Sequence, residues 1–360
     1  MSMSQIRALS CARRATLCLF ALGITTSLPA AEIPRGYVCQ RASQPIVIDG
    51  KLDDASWADA AWTEEFVDIE GDKKPLPRFR TRAKMLWDDQ YFYFAAQLDE
   101  PHVWGTLKEH DAVIFQDNDF EIFIDPDGDN QDYGELEINA LNTEWDLRLV
   151  KAYRDGGPAE NQYELPGLKT AVHVDGTLND PSDTDKGWSV EFAIPWAALK
   201  SIAHRECPPT DGDQWRVNFS RVEWLTQILD GKYVKVPKRP EDNWVWSPQG
   251  FIDMHRPEHW GFVQFTTRPP GEVAFKPDTS LPIRQRLMAV YHAQRAHKNA
   301  HKTWAETLDQ LGISEPVDAK TSPVKIQLTP EGFLAVIETP KEQGKVTKWS
   351  IRQDSRLWAE

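Results

Sequence analysis

Short stretches of alternating apolar and polar residues follow one another between about residues 45 and 266. In Asp119–Ile124 every second residue is Phe or Ile, which predicts a strand with one core face and one mixed face. Many short strands with frequent turn residues favour an antiparallel β-sandwich over βαβ units, so the predicted fold class is all-β. The predicted strands are Thr81–Trp87, Tyr91–Leu98, Asp119–Ile124, Glu135–Asn139, Trp145–Val150, Ala171–Val174, Trp188–Ile194, Trp215–Phe219 and Trp260–Phe265.

The pattern changes in the C-terminal part of the chain. Residues 269–279 contain several prolines and a glycine, which predicts a linker. Beyond it, Ile283, Leu287 and Val290 recur at helical spacing, which predicts a helix to about His301 whose apolar face extends to Gly312. We expect residues 280–360 to form a small α+β appendix. Its predicted strands are Val324–Leu328, Phe333–Ile337 and a last one near Trp349–Ile351.

The first residues have the composition of a targeting segment. Three arginines precede the apolar run Ala15–Ile24, and small residues follow as far as Ala31. The run is too short to cross about 30 Å of hydrocarbon. We therefore expect a signal peptide over residues 1–31, cleavage near Ala31, and export to the periplasm or beyond. The sandwich domain would occupy residues 32–268.

Net charge narrows the classes of partner. The formal charge of −14 becomes −17 once the three arginines of the signal peptide are removed. Such acidity argues against nucleic acid, because phosphates bind to basic surfaces. Nothing after residue 31 approaches the roughly eighteen apolar residues of a membrane-spanning helix, so no transmembrane segment is expected in the mature chain.

Two cysteines, Cys39 and Cys207, remain after the predicted cleavage. An even number of cysteines in an oxidising compartment favours a disulfide between them. The alternative is a pair of free thiols without a role.

Several motifs between about residues 40 and 266 resemble carbohydrate-binding module family 9, and they occur in the order typical of that family. The resemblance implies a β-sandwich that binds sugars, in that family often at the ends of glycan chains, and that carries structural calcium. The motifs are Ile46–Gly50 with Asp53, Asp54 and Trp57; Leu86–Tyr93; Asp117–Asp125; Gly187–Glu191 with Ile194–Trp196; Val245–Ser247; and Trp260–Gly261.

The resemblance also implies aromatic residues that clamp a sugar. Phe115 occupies one clamp position, where a ring would pack against the C–H face of a sugar. Met254 falls near the other position, where the family pattern has a tryptophan, and Trp104 could replace it. In the alternative interpretation, Phe115 is a loop residue packed onto the core and Trp104 belongs to the core.

The polar part of the implied site lies on the predicted central strands. Glu121 and Asn139 match positions that hydrogen-bond sugar hydroxyls in the family, and an ionised carboxylate accepts such bonds strongly. Glu137 stands where the family pattern has an arginine. Arg148 on the following strand could supply a guanidinium to the same face. The alternative is that these residues are ordinary outward-facing strand residues.

The run 125–132 contains a dense series of carboxylates. Asp125, Asp127, Asp129 and Asp132 surround a glycine, and Ca²⁺ prefers six to eight oxygen ligands. The spacing lacks the final glutamate of an EF-hand loop. The sequence therefore predicts a calcium site here, with a solvated acidic turn as the alternative.

These observations predict an exported carbohydrate-binding protein that takes part in glycan recognition and carbohydrate catabolism, with an oligo- or polysaccharide as partner. No catalytic residues are assigned, because no nucleophile or zinc-protease motif occurs. Two alternatives remain. One is the accessory part of a hydrolase of O-glycosyl compounds. The other is haem binding, known in related sandwiches, for which Met85, Met254, His255 and His259 are candidate ligands.

Overall fold

The computed structural model describes residues 33–314, 321–340 and 346–360. The predicted signal peptide, residues 1–31, lies outside the described residues. From Ile33 onward the chain forms one compact unit. No helix in the described ranges is both long enough and apolar enough to cross a membrane.

Among the described residues, three α-helices and two larger sheets make up this unit. The helices are α1 (Ala55–Asp59), α2 (Trp196–Ala203) and α3 (Leu281–His301). The strands are β1 (Gly36–Arg41), β2 (Val67–Asp68), β3 (Thr81–Trp87), β4 (Tyr91–Asp99), β5 (Asp119–Asp125), β6 (Gln131–Asn139), β7 (Glu144–Lys151), β8 (Ala159–Glu160), β9 (Lys169–Asp175), β10 (Gly187–Pro195), β11 (Gln214–Glu223), β12 (Thr226–Leu229), β13 (Lys232–Lys235), β14 (Asp242–Val245), β15 (Gly261–Thr266), β16 (Lys325–Leu328), β17 (Phe333–Pro340), β18 (Val346–Arg352) and β19 (Leu357–Ala359).

The main sheet has the order β8-β7-β6-β5-β11-β15-β1-β3-β4-β10-β9, with β14 and β2 beside β11. It folds over itself so that its two halves enclose the principal apolar core. Phe120 of β5 and Phe219 of β11 stack there at 5.5 Å between ring centroids, and Phe120 also meets Phe192 of β10 at 6.0 Å. The all-β sandwich expected from the alternating pattern is confirmed.

Strand β1 departs from the antiparallel expectation. It pairs in parallel with β15, Gly36 opposite Phe262, and in parallel with β3, Gln40 opposite Leu86. The strand joins the two halves of the sheet at its centre. Its pairing partners are far away in sequence, so a local pattern contains no information on their direction.

The predicted disulfide is absent: both cysteines are free thiols. Cys39 lies on β1 with its side chain fully buried in the principal core. The Cys207 thiol donates a hydrogen bond to the carbonyl of Trp196 at 3.4 Å. Burial raises the pKa of the Cys39 thiol, and that of Cys207 to about 11. The even cysteine count therefore misled the sequence interpretation.

A second, four-stranded antiparallel sheet of order β16-β17-β18-β19 packs against α3. The helix begins at Leu281, after β15 has ended at Thr266, which matches the predicted change of pattern. The apolar face beyond α3 is carried by a separate short 3₁₀ turn rather than by a continuous helix. The separate domain status of residues 280–360 remains a prediction.

This C-terminal sheet docks on the turn between β5 and β6. The Leu357 amide donates to the Asp129 carbonyl at 3.0 Å, and Asn130 Nδ2 donates to the Ser355 carbonyl at 3.0 Å. From α3, Arg284 Nη1 donates to the Gly128 carbonyl at 2.8 Å. The C-terminal part thus fixes one end of the β5–β6 hairpin.

Candidate functional site

The outer face of β5 and β6 carries a group of polar side chains. Glu121 lies opposite Glu137 across the two strands, and Asp119 lies opposite Asn139. Because side chains alternate along a strand, these residues point away from the principal core, which takes Phe120 from the same strand. The alternation in the sequence therefore puts the acidic residues of both strands on one face.

Four carboxylates on this face, those of Asp119, Glu121, Glu135 and Glu137, form what we call the carboxylate cluster. Oxygen atoms of Asp119, Glu121 and Glu137 lie within 4.8 Å of one another. All four residues are buried, and Glu121 is 5% exposed. No lysine or arginine in the described part of the chain forms an ion pair with any of them.

Burial without a cation changes the acidity of the cluster. Burial raises the pKa of Glu121 to about 7. Burial, reinforced by the charge of Glu121, also raises the pKa values of Asp119, Glu135 and Glu137 well above their usual range. A buried carboxylate avoids the cost of desolvation by holding a proton or by binding a cation. The cluster is therefore ready to take up positive charge near neutral pH.

Several polar atoms of the cluster and its surroundings lack hydrogen-bond partners. One oxygen each of Asp119 and Glu135 is buried without a donor. The indole N–H of Trp145, which lies opposite Glu137 on β7, is buried without an acceptor. Such unpaired buried groups are uncommon in native structures and often mark functional positions.

A short 3₁₀ turn, Ile114–Gln116, brings Phe115 to the edge of the cluster. The Phe115 amide donates to Glu137 Oε2 at 2.9 Å, and its carbonyl accepts a hydrogen bond from the indole of Trp224 at 2.9 Å. Phe115 and Trp224 are both half-buried. The ammonium of Lys235 lies 3.5 Å above the Trp224 ring. Phe115, the predicted clamp residue, therefore lies next to Trp224 and beside Glu137.

Tyr153 is an exposed aromatic residue near the cluster. Its side chain is 53% exposed, and Glu135 and Glu137 contribute, after burial, to the raised pKa of its phenol. Its ring contacts that of His255 edge-on at 4.5 Å between centroids. His255 in turn hydrogen-bonds the Tyr133 hydroxyl through Nδ1 at 3.0 Å. Burial lowers the pKa of His255 to about 4, so the ring is neutral at pH 7.

Met254 does not form the second side of a clamp. Its side chain is buried in an apolar cluster with Phe123 and Trp260, and its carbonyl accepts the Trp260 indole hydrogen bond at 2.8 Å. The loop that contains Met254 folds inward at this residue. The exposed aromatic position on this side belongs to Tyr153 instead.

Asn139 lies beside the cluster, but its amide is fully occupied. Its Nδ2 donates to the Leu107 carbonyl at 2.9 Å and to Asp117 Oδ2 at 3.0 Å. Its Oδ1 accepts hydrogen bonds from the amides of Leu141 and Thr143. Asn139 therefore fixes the loop that precedes Phe115 and has no hydrogen-bonding capacity left for a ligand.

Two other predicted site residues lie elsewhere. Trp104 is buried near Lys235, whose ammonium is 6.0 Å from the ring centroid, so Trp104 is core-like rather than an exposed platform. Arg148 lies opposite Gly134 and therefore on the other face of the sheet from Glu137. Its guanidinium pairs with Asp132 at 2.6 Å and with Glu160 at 3.5 Å. The expectation that Arg148 lies on the same face as Glu121 is wrong.

In the acidic turn, residues 125–132, both oxygens of Asp125 and one oxygen of Asp129 accept amides of the turn itself. Asp125 accepts the amides of Gly128 and Asn130 at 2.9 and 3.0 Å. One oxygen of Asp129 accepts the Gln131 amide at 2.8 Å, and the other accepts Arg356 Nε at 2.9 Å.

Oxygen atoms of Asp125, Asp127 and Asp129 still come within 4.8 Å of one another, and calcium at these three residues remains a prediction. Asp132 does not belong to this group. Its carboxylate pairs with Arg148 and with His204 at 2.9 Å, which corrects its assignment as a metal ligand.

The candidate haem ligands are not assembled around one cavity. Met85 is buried in the principal core between the two halves of the sheet, whereas Met254 is buried in a different apolar cluster. His255 is hydrogen-bonded to Tyr133. This arrangement does not favour a Met–His haem pair.

The sequence interpretation missed Glu135, Tyr153 and Trp224. A signal for Glu135 was present, because Glu135, Glu137 and Asn139 alternate with Leu136 and Ile138 along β6. Tyr153 and Trp224 lie outside the regular strands, in segments whose direction depends on tertiary packing.

The region that contains the carboxylate cluster matches a known protein family. Residues 48–210 match the family model described as carbohydrate family 9 binding domain-like. The resemblance to carbohydrate-binding module family 9 is therefore confirmed for the larger part of the sandwich.

Among curated proteins, the chain is similar to exoglucanase XynX of Acetivibrio thermocellus, with 27% identity over 155 residues. That match covers 42% of this chain and 12% of the exoglucanase. Among solved structures, the chain is similar to a family 9 module from Caldicellulosiruptor kristjanssonii in complex with cellotriose. The identity is 15%, the TM-score 0.43, and the coverage 67% of this chain and 98% of that one.

The chain is also similar to the crystal structure of a protein from Bacteroides uniformis ATCC 8492 that is described as a putative carbohydrate-binding protein. It shows 15% identity and a TM-score of 0.48, with 64% of this chain and 99% of that chain covered.

Proposed function

We propose that this chain, whose residues 48–210 match the carbohydrate family 9 binding domain, binds a saccharide over the carboxylate cluster between Phe115 and Tyr153. The observation that carries the proposal is the position of two aromatic side chains beside Glu137. The Phe115 amide bonds its carboxylate at 2.9 Å, and the exposed Tyr153 phenol is close enough to interact electrostatically with it.

The chemistry of a sugar fits this arrangement. A pyranose ring has a C–H face that packs against aromatic rings, and it has hydroxyl groups that both donate and accept hydrogen bonds. Carboxyl groups accept hydrogen bonds from such hydroxyls and also donate one when they hold a proton, and the unpaired Trp145 N–H is a donor close to Glu137. A sugar could thus satisfy polar groups that lack partners within the described chain.

The proposal includes export and a part in carbohydrate catabolism. The N-terminal pattern supports export, and the similarity to a protein named exoglucanase supports glycan use. Cell fractionation and N-terminal sequencing test the first point. A mature N-terminus close to Glu32 in a periplasmic or extracellular fraction is expected, and an intact Met1 in the cytoplasm would contradict export.

Binding is tested by calorimetry of the purified chain against a panel of oligosaccharides that includes cellotriose. We expect one saccharide class to bind, and Phe115→Ala and Tyr153→Ala each to weaken its affinity about tenfold or more, which corresponds to about 1.4 kcal/mol. Trp358→Ala removes a half-buried aromatic side chain from the C-terminal sheet and serves as the matched control.

The control variant should retain the wild-type affinity. Tyr153→Phe keeps the ring and should lose less than Tyr153→Ala. No binding across the panel, or equal binding by the wild type and both site variants, would contradict the proposal.

A further inference from the structure

The carboxylate cluster lacks compensation for its negative charge. Asp119, Glu121, Glu135 and Glu137 are buried on adjacent strands, and no ion pair reaches them within the described residues. Lys235 interacts electrostatically with Asp119 but makes no ion pair with it. Burial of several carboxylates is strongly unfavourable unless they are protonated or bind a cation.

A neighbouring hydroxyl group points to a ligand independently of the acidic residues. Ser220 of β11 lies opposite Glu121 in register and is fully buried. Its Oγ is near enough to the Glu121 carboxylate to oppose the rise of that group's pKa, but no acceptor lies within hydrogen-bonding distance and angle of it. A serine hydroxyl in this position normally finds a partner, because an unpaired buried polar atom costs about 1–3 kcal/mol. Its oxygen adds a neutral ligand to the charged ones.

Two carboxylates of the cluster keep an oxygen without a hydrogen-bond partner. Asp119 uses one oxygen for the Val222 amide at 3.0 Å and leaves the other without a partner. Glu137 uses Oε2 for the Phe115 amide. One oxygen of Glu135 also has no partner. Backbone amides therefore hold the carboxylates of Asp119 and Glu137 in place through one oxygen each.

The geometry agrees with a hard divalent cation. The three carboxylates of Asp119, Glu121 and Glu137 offer oxygen atoms within 4.8 Å of one another. An ion with metal–oxygen distances of about 2.3–2.6 Å, such as Ca²⁺, can contact oxygens at such separations. No cysteine or histidine is among the ligands, so the donor set favours Ca²⁺, Mn²⁺ or Mg²⁺ over softer metals.

We propose that Asp119, Glu121 and Glu137, with Glu135 and Ser220 beside them, bind a divalent cation, with Ca²⁺ as the preferred ion. The cation lies beneath the face on which we placed the saccharide. The cation site is argued from the contacts above and does not depend on saccharide binding. Only a direct contact between the cation and sugar hydroxyls rests on the proposed function.

Calorimetric titration of the chelator-treated full chain with CaCl₂ at pH 7.5 tests the site. We expect a Kd of about 10⁻⁴ M or lower, the tighter end of the range of extracellular calcium modules. Glu121→Gln and Glu137→Gln should each weaken this binding about tenfold or more. Asp127→Asn alters the acidic turn instead and should leave the site unchanged. Far-UV and near-UV circular dichroism confirm that each variant is folded.

Terbium luminescence gives a second measurement if a glutamine variant fails to fold. Tb³⁺ replaces Ca²⁺ at oxygen sites, and Trp145 lies opposite Glu137, where it can sensitise the ion. We expect sensitised emission that Trp145→Phe reduces without loss of Ca²⁺ binding, and that Ser220→Ala weakens through lower affinity. Emission unaffected by both changes would contradict the proposed position.

The outcomes separate this inference from the saccharide proposal. Ca²⁺ binding by a Phe115→Ala variant that has lost its sugar supports both proposals. Ca²⁺ binding without any sugar binding supports the cation site alone. Absence of Ca²⁺, Mn²⁺ and Mg²⁺ binding at millimolar concentration would overturn the cation site and indicate that the carboxylates share protons, whatever happens with sugars. If Asp127→Asn alone abolishes Ca²⁺ binding, the ion binds at the acidic turn, and the proposed site at the carboxylate cluster is wrong.

Discussion

The acidic turn and the carboxylate cluster differ in what their oxygen atoms contact. In the turn, Asp125 and Asp129 accept backbone amides, and Asp129 also pairs with Arg356. In the cluster, Asp119 and Glu137 each accept one amide, and no cation pairs with any member among the described residues. The turn therefore stabilises its own loop, whereas the cluster retains unused binding capacity.

The difference shows that acidic density along the chain is a poor guide to a cation site. Neighbouring aspartates in a turn are close to the amides of that turn, which they readily cap. Acidic residues at alternate positions of a strand have no free amides on their own strand, because the sheet already uses them. Their carboxylates therefore depend on other parts of the fold for hydrogen-bond donors or cations. Three variants test this comparison between the turn and the cluster.

The largest effect is expected for Asp125→Ala in the turn. The change leaves the buried amides of Gly128 and Asn130 without acceptors, at about 1–3 kcal/mol each, so the free energy of unfolding should fall by about 4 kcal/mol. Urea denaturation at pH 7 measures it. Asp127→Asn removes a charge from the same turn and should cost less. Equal stability of Asp125→Ala and the wild type would show that the turn does not stabilise itself.

A smaller effect of opposite sign is expected for Glu121→Gln in the cluster. Burial raises the pKa of Glu121 from 4.5 to about 7, so the folded protein holds this proton more tightly than the unfolded chain between these pH values. In chelator, the wild type should lose stability relative to the variant as pH rises from about 4.5 to 7. Above pH 7 the variant should be more stable by about 3 kcal/mol, from 1.36 kcal/mol per pKa unit.

Unfolding curves of both proteins between pH 4 and 8 test the sign. Glu109→Gln, which alters an exposed carboxylate, is the control and should follow the wild type. A constant difference between Glu121→Gln and the wild type over this pH range would mean that Glu121 is not held as a buried, proton-binding carboxylate.

The smallest effect is expected for Arg356→Ala. Arg356 is half-exposed, so its pair with Asp129 should contribute about 0.5–1 kcal/mol to the free energy of unfolding. Added salt should reduce the difference between this variant and the wild type. Lys348→Ala removes a longer, exposed contact with Glu360 and should change stability less. A loss of several kcal/mol would show that the turn depends on the C-terminal sheet rather than on its own contacts.

The strands and the C-terminal helix followed from periodicity, because burial of one face imposes alternation on β5 and helical spacing on α3. A family resemblance also predicted Glu121 and Phe115 as members of one site; both lie beside Glu137, and their role in binding stays a prediction. The face on which Arg148 lies could not be predicted from the sequence. It depends on the register of β7 against β6, because a shift of one residue moves every side chain of a strand to the opposite face. Met254 is buried and Tyr153, for which the sequence predicted no role, is exposed near the cluster, because packing decides the direction of these loops.

The central position of β1 has a consequence for the order in which the chain can fold. Residues Gly36–Gln40 pair with Phe262–Thr266, so a strand made at the beginning of synthesis waits for one made more than two hundred residues later. Contacts between such distant segments slow folding, because the chain must close a long loop first. We expect the two halves of the sheet to remain unjoined on a growing chain, and the sandwich to close as a late, single event after β15 has been released from the ribosome.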